Sequence, residues 1–285
     1  MDIGLLGALR VRENRISIVP TAPKPRQVLA LLAVRADQVV PVATLVEELW
    51  AGTPPRSART TLQTYVLQLR DLIATALCEG DDSGSVPERS AKDVLKTLPG
   101  AYLLATGGGE SDTAEFERLV ELGCRAMDDE NHTGASRILR QALDLWTGPP
   151  FADVHTGAQL TVEARRLEES RLCALDQRIE ADLHLGRHRE LLAELTVLTS
   201  RYRSHENLHA QFMLALYRSG RRSESLHVYQ QLRAHLVRDL GLEPSPRLRR
   251  LQQAILTATA ENPGTPAHHD DLTAPAPGGS LARVP

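Results

Sequence analysis

The chain has 285 residues, of which 42% are hydrophobic and 24% are charged, with three cysteines and a net charge of −3 at pH 7. This length predicts two domains of about 150 residues each, and the wide spacing of the cysteines argues against a disulfide framework or a CxxC metal site. No apolar run is long enough to cross a bilayer, and the N-terminal MDIGLLGALR lacks the regions of a signal peptide. We therefore expect a cytoplasmic protein with no membrane partner.

Residues 1–106 are predicted to contain short strands, three helices and a β-hairpin, in that order. Alternating apolar residues predict two strands within residues 2–19, and two prolines favour the start of the first helix. Pro99-Gly100 provides a tight turn between the two strands of the hairpin. The helices are predicted over residues 27–35, 42–50 and 56–77, and a polar loop is predicted over residues 79–91.

The third predicted helix has an apolar face and an opposite polar face. A rotation of about 100° per residue places Thr60 and Thr64 nearly opposite Leu62, the centre of the apolar face. The surrounding segment from Leu49 to Arg70 contains three arginines and no acidic residue. A basic stripe of this kind on a small domain is typical of DNA-binding proteins.

This order of elements is typical of a winged helix-turn-helix with an additional N-terminal sheet, as in two-component output domains. The third helix would enter the major groove, where threonine, glutamine and arginine side chains bond to base edges or phosphates. A lysine on the hairpin, which forms the wing, could bond to a further phosphate. The candidate DNA-binding residues are therefore Arg56, Arg59, Thr60, Thr61, Gln63, Thr64, Gln68, Arg70 and Lys96.

Only helices are predicted after the three consecutive glycines that end the first domain. The sequences GRHRELL from Gly186 and GRRSESL from Gly220 begin 34 residues apart, the period of tetratricopeptide repeats. Residues 261–285, rich in Pro, Gly and Ala, are predicted to be a disordered tail. The predicted fold is mainly α: an α+β winged helix-turn-helix over residues 1–106, followed by an all-α tetratricopeptide-like domain over residues 112–258. Its helices are predicted over residues 113–128, 132–147, 158–185, 188–202, 206–219, 222–240 and 245–258.

Several sequence blocks have a characteristic order. The N-terminal part contains PRQVLALL, LVEELW and TLQTYVLQLR, and the C-terminal part contains LDLWTGPP, EADLHLGRH and DLGLEPSP. These blocks, which extend from Ile3 to about Leu256, resemble the Streptomyces antibiotic regulatory protein family. The resemblance implies a winged-helix DNA-binding domain followed by a bacterial transcriptional activation domain.

The resemblance also implies a function. Members of this family activate antibiotic or other secondary-metabolite gene clusters by binding direct repeats near the promoter −35 region and recruiting RNA polymerase holoenzyme. We accordingly expect promoter DNA and RNA polymerase as partners, with a homodimer forming on the DNA. Larger family members append an NTPase module, but no GxxxxGK[ST] motif occurs here. The sequence thus predicts the small two-domain form, with no cofactor and no enzymatic activity.

A zinc-hydrolase hypothesis rests on the segment from His205 to His209, which matches the HExxH motif. This match begins a predicted helix within the repeats, where Phe212 and Leu216 are expected to pack between helices. We therefore expect neither a metal site nor catalytic residues there.

An interaction scaffold is the remaining alternative. In that case the repeat domain would bind a partner protein, and the winged helix would bind protein rather than DNA. The absence of acidic residues from Leu49 to Arg70 favours DNA.

Overall fold

The computed structural model describes residues 1–79 and 89–261. The predicted polar loop over residues 79–91 lies largely outside the described residues, as does the predicted tail after residue 261. In chain order the elements are β1 (Asp2–Gly4), β2 (Arg10–Glu13), β3 (Ile16–Ser17), α1 (Pro23–Val34), β4 (Val40–Pro41), α2 (Val42–Trp50), α3 (Ala58–Glu79), α4 (Ala91–Val94), β5 (Leu95–Leu98), β6 (Ala101–Leu104), α5 (Asp112–Asp128), α6 (His132–Asp144), α7 (Ala158–His184), α8 (Leu192–Arg201), α9 (Glu206–Arg218), α10 (Arg222–Leu240) and α11 (Pro246–Glu261).

The N-terminal sheet has three antiparallel strands in the order β1-β2-β3. The prediction of two strands in this region was wrong, because the first expected strand divides into β1 and β2. Between them, the backbone amides of Leu5 and Leu6 donate to the carboxylate of Asp112 at 2.8–3.1 Å. The amide of Leu9 donates to Asp153 at 2.7 Å. Between β1 and β2 these backbone amides bond to carboxylates and not to a neighbouring strand, so the predicted first strand is interrupted.

The three predicted helices of the winged helix-turn-helix are α1, α2 and α3. α1 begins at Pro23, and Ala51, the residue that follows α2, has a left-handed conformation. α3 begins at Ala58 rather than at Arg56, because the Ala58 amide first closes a turn onto the Pro55 carbonyl. The winged helix-turn-helix prediction is confirmed, with boundary shifts: α1 covers Pro23–Val34 rather than residues 27–35, and α3 covers Ala58–Glu79 rather than residues 56–77.

The wing is the hairpin of β5 and β6, and β4 extends it into a sheet of order β4-β6-β5. Gly100, at the tip, has φ +71°, a conformation that favours glycine. The sequence did not reveal α4, a short helix in front of the wing. Ser90 and Asp93 form a capping box at its start.

Packing divides the described chain into two compact units. The first unit comprises Met1–Arg125 and Arg137–Leu175, and the second comprises Ala126–Ser136 and the described residues from Asp176 onward. The first unit therefore contains the winged helix and also parts of α5, α6 and α7. Its segments around Leu6 and Thr147 pair through backbone hydrogen bonds, such as the one from the Thr147 amide to the Leu6 carbonyl at 2.8 Å.

The second unit contains the stacked helices α8 to α11, as the repeat predicted. Gly186 and Gly220 both follow a helix and both have positive φ, +75° and +81°. Arg218 donates to the Leu183 carbonyl at 2.9 Å across a separation of 35 residues. These features confirm the tetratricopeptide-like architecture. In the described part of the chain, no helix is long and apolar enough to span a membrane.

Candidate nucleic-acid interface

The helix α3 has one buried and one exposed face, and the expected division between them is confirmed. Its buried side chains other than Ala58 belong to the core of the first unit, whereas Thr60, Gln63, Thr64 and Gln68 are exposed. The Thr64 hydroxyl donates a hydrogen bond to the Thr60 carbonyl at 3.2 Å. Because both groups belong to the same helix, this bond does not bring another element over the exposed face. The buried residues are Ala58, Leu62, Val66, Leu69, Ile73, Ala76 and Leu77.

The remaining predicted residues of this region occupy different positions. Arg59 is exposed on α3, whereas Arg56 is exposed in the turn before the helix begins. Within the described residues neither arginine has an ion-pair partner, so both guanidinium groups are available to an anion. Thr61 is partly buried, which places it at the edge of the exposed face.

Arg70 bonds to the wing rather than projecting freely from α3. Its guanidinium donates two hydrogen bonds to the Leu95 carbonyl, from Nε at 3.1 Å and from Nη2 at 2.6 Å. Nη2 also donates to the Thr97 hydroxyl at 2.7 Å. The sequence suggested a DNA contact for this residue, but in this structure Arg70 fixes the wing strand β5 to α3. A DNA contact by Arg70 stays a prediction.

Lys96 lies on the wing strand β5, opposite Leu103 of β6, and is exposed. The pKa of Asp93 is held below its ordinary value mainly by hydrogen bonds from Ser90 and to a lesser extent by the charge of Lys96. Lys96 therefore lies on the same wing strand, β5, to which Arg70 donates its hydrogen bonds from α3.

A groove of about 860 Å³ lies between α2, the first half of α3 and the tip of the wing. Arg56, Arg59 and Gln63 line it from the α3 side, and Gly100 lines it from the wing. Glu47 is an acidic residue in the lining. The structure therefore brings three of the candidate residues together in one concave surface, beside the exposed face of α3.

Two family models match this chain. The model described as "Transcriptional regulatory protein, C terminal" matches residues 17–81, which include α1 to α3. The model described as "Bacterial transcriptional activator domain" matches residues 111–256, which extend from α5 into α11.

Two similar proteins each align with 90% of this chain. "Regulatory protein DnrI" of Streptomyces peucetius is 52% identical over 90% of this chain and 93% of its own length. "Regulatory protein AfsR" of Streptomyces coelicolor is 35% identical over 90% of this chain, which spans only 24% of AfsR. The chain belongs to the Streptomyces antibiotic regulatory protein family. This family membership makes it a DNA-binding transcriptional regulator.

A solved structure supports the fold of this family member. The structure described as "Mycobacterium tuberculosis EmbR in complex with low affinity phosphopeptide" matches with a TM-score of 0.79 and 32% sequence identity. The match covers 90% of this chain and 65% of the EmbR chain. A winged helix followed by a helical activator domain is therefore the architecture of this chain.

Two residues on the exposed face of α3 were missed in the sequence analysis of this regulator. Leu67 is 58% exposed, and Asp71 is exposed one turn further along. Asp71 is the first acidic residue after the acid-free segment that ends at Arg70. A helical projection would have revealed both residues, since each lies opposite the buried face.

The HExxH histidines of this regulator have structural roles. His205 caps the start of α9, where its Nδ1 accepts the Leu208 amide at 3.3 Å. His209 donates from Nδ1 to the His205 carbonyl at 3.0 Å and is 7% exposed. Burial lowers the pKa of His209, which favours its neutral form. Among the described residues no group of three or more His, Cys, Asp or Glu side chains could bind a metal ion.

Proposed function

We propose that this chain activates transcription of an antibiotic or other secondary-metabolite gene cluster. In this proposal it binds direct repeats near the promoter −35 region and recruits RNA polymerase holoenzyme. The observation that supports it most strongly is the exposed face of α3, where hydrogen-bonding side chains lie next to Arg59 and the wing. Such side chains bond to base edges, and flanking cations bond to phosphates. The similarity to DnrI over nearly its whole length adds to this support.

Binding as two copies follows from the size of the interface. One recognition helix covers only a few base pairs, and one small domain contacts few phosphates, so a single copy binds weakly. Direct repeats would place two copies head-to-tail on one face of the DNA. We propose this homodimer on DNA as the functional form, acting in the cytoplasm, where bacterial promoters are located.

Within this function the residues act by binding alone. Thr60, Gln63, Thr64 and Gln68 contact bases, Arg59 contacts a base or a phosphate, and Lys96 contacts a phosphate. Neither catalysis nor a cofactor is part of the proposal, because each of these roles requires only hydrogen bonds and charge.

An interaction scaffold without DNA contacts is a second candidate function. The stacked helices α8 to α11 favour it, since helix-repeat arrays commonly bind partner proteins. This candidate gives no role to Arg56 and Arg59, which are exposed and have no ion-pair partner among the described residues, and for that reason we favour the DNA-binding function.

The proposal can be tested with DNA from upstream of the biosynthetic operon next to the gene. Three duplexes would be compared in a mobility shift: the natural one, one with about half a helical turn inserted between the repeats, and one with a full turn of about 10 base pairs inserted. The half-turn insertion should abolish tight binding because it places the two copies on opposite faces. The full-turn insertion is the control, since it restores the common face.

Two outcomes would count against the proposal. Equal binding to the natural duplex and the half-turn duplex would contradict the head-to-tail homodimer. Equal binding to the natural duplex and to random DNA, at low and at moderate salt, would contradict sequence-specific DNA binding and favour the scaffold.

A further inference from the structure

Leu67 is an exposed apolar residue in the middle of a polar surface. It is 58% exposed, and along the described length of α3 it is the only large hydrophobic side chain with such exposure. A rotation of about 100° per residue places it about 140° from Leu62, the centre of the buried face. It therefore lies between Gln63 on one side and Thr64 on the other, on the face that the proposed function directs into the major groove.

The neighbours of Leu67 limit what can cover it. Residues three and four positions away on a helix are adjacent on its surface, so Gln63, Thr64 and Asp71 surround Leu67 with polar groups. One leucine within such a ring is too small an apolar area for a stable protein interface, whose core contains several apolar side chains. An occupant must instead combine one small apolar group with hydrogen-bonding groups on either side.

The edge of a thymine in the major groove has this combination. Each thymine presents a C5 methyl group beside its O4 acceptor, and the paired adenine presents a donor and an acceptor. Gln63 and Gln68 supply amide groups of the kind that bond to adenine, and an apolar side chain contacts the methyl group. No other base in unmodified DNA presents a methyl group in this groove.

We propose that Leu67 is a specificity-determining residue that contacts the C5 methyl group of a thymine in each DNA repeat. This inference rests on the proposed function, because it requires α3 to lie in the major groove. It adds a requirement that the hydrogen-bonding residues do not impose, namely that at least one position of each repeat is a thymine with its methyl group in contact with protein.

The experiment uses the full chain and a thymine-methyl scan. Duplexes are first selected from a randomised pool, and each thymine of the selected site is then replaced in turn by deoxyuridine, which removes only the methyl group. Affinities are measured for the wild type, for Leu67→Ala, and for Leu242→Ala. Leu242 is also 58% exposed but lies after α10, so it is the matched control.

The expected result is a coupling between one methyl group and one side chain. For the wild type, deoxyuridine at the contacted position should weaken binding about fourfold, the equivalent of one buried methyl group. For Leu67→Ala the same replacement should have no further effect, whereas Leu242→Ala should behave as the wild type. Alanine favours the helix more than leucine does, so the variant should remain folded.

Several results would overturn the inference while leaving the proposed function intact. These are a selected site without a fixed thymine, methyl removal that weakens neither protein, and equal methyl losses in the wild type and Leu67→Ala. Self-association of the free protein that Leu67→Ala abolishes, with unchanged methyl losses, would assign Leu67 to a protein contact instead. If selection enriches no sequence at all, the proposed function itself fails.

Discussion

The Arg70 guanidinium is bound to the carbonyl oxygen of Leu95, which accepts hydrogen bonds from both Nε and Nη2. This pair fixes α3 to the first strand of the wing. The acceptor belongs to the main chain, so the contact depends on the shape of the donor group rather than on an opposite charge. A guanidinium provides two parallel donors in a rigid plane, and an ammonium does not.

Replacing Arg70 should therefore affect folding as well as binding. Arg70→Ala should lower the free energy of unfolding of the first unit by about 1–3 kcal/mol, because it removes charged hydrogen bonds to a partly buried carbonyl. Arg70→Lys should recover little of this loss, since lysine lacks the planar fork. Both tryptophans, Trp50 and Trp146, lie in the first unit, so their fluorescence during urea unfolding measures its stability.

Arg56→Ala is the control for this prediction. Arg56 is exposed in the turn before α3, and its replacement should change stability by less than about 0.5 kcal/mol. If Arg70→Ala unfolds like the wild type yet loses DNA affinity, Arg70 contacts DNA directly and the wing-positioning role is wrong.

A second prediction concerns Glu48, a buried carboxylate at the junction of α2 and α7. It is 2% exposed and accepts backbone amides from Gly157 at 2.6 Å and from Gln159 at 2.8 Å. Gln27 also donates to it at 3.1 Å. The negative charge lies at the positive N-terminal end of α7, where it is favoured.

Glu48→Gln should lower the stability of the first unit by about 1–3 kcal/mol, because an amide replaces a charged acceptor of several hydrogen bonds. The neighbouring Glu47 is exposed, and Glu47→Gln is the matched control with little expected change. The measurement is again urea unfolding followed by tryptophan fluorescence. Equal midpoints for the two variants would show that the buried carboxylate does not join α2 to α7 in solution.

The sequence predicted helices well because their signals are local. The apolar residues around Leu62 repeat at helical spacing, and the glycines at positions 186 and 220 recur with the repeat, so short windows sufficed. Gly157 and Gln159, which donate to Glu48, are 109 and 111 residues away from it, and the motif LVEELW gave no indication that one of its two glutamates is buried. The hydrogen bonds from Arg70 to the wing could not be predicted, because their acceptor, the main-chain carbonyl of Leu95, has no sequence signature.

The domain division illustrates the same limit. Composition places the boundary between the winged-helix domain and the helical domain at the glycines before residue 112. This division into two functional domains stays a prediction. Packing instead joins residues 137–175 to the winged helix. Such packing depends on long-range contacts like that of Asp112 with the Leu5 amide, across 107 residues, which local patterns do not reveal.

A third prediction concerns pH and the buried His209. Burial lowers its pKa below the ordinary value of 6.5. As the pH falls below 6.5, the unfolded chain binds a proton at this position that the folded chain does not. The second unit should therefore lose stability as the pH falls from 6.5 towards the lowered pKa. Amide hydrogen exchange of α9 at pH 7.5 and pH 5.5, corrected for intrinsic rates, measures this loss.

His209→Gln should reduce the acid sensitivity of α9 because it removes the titrating group. His227 is exposed, and His227→Gln should leave the acid sensitivity unchanged. Protection of α9 that falls equally in the wild type and in His209→Gln would assign the pH dependence to another group, such as His188, whose pKa burial also lowers.

The fourth prediction separates base contacts from phosphate contacts. Thr64→Ala and Gln68→Ala should each weaken binding to the cognate site by about 1–3 kcal/mol and affect random DNA much less. Lys96→Ala should weaken both about equally and reduce the salt slope by about one counterion. Leu62→Ala should instead lower stability by about 2–5 kcal/mol, since Leu62 is 1% exposed.

The most direct test of α3 as the DNA-recognition helix is the ratio of cognate to random affinity for Gln68→Ala and Lys96→Ala, measured at two salt concentrations. We expect this ratio to fall about 5- to 150-fold for Gln68→Ala, the equivalent of about 1–3 kcal/mol, and to stay at the wild-type value for Lys96→Ala. Both residues are exposed, so neither result should arise from unfolding. If both variants change the ratio by the same factor, the orientation assigned to α3 is contradicted.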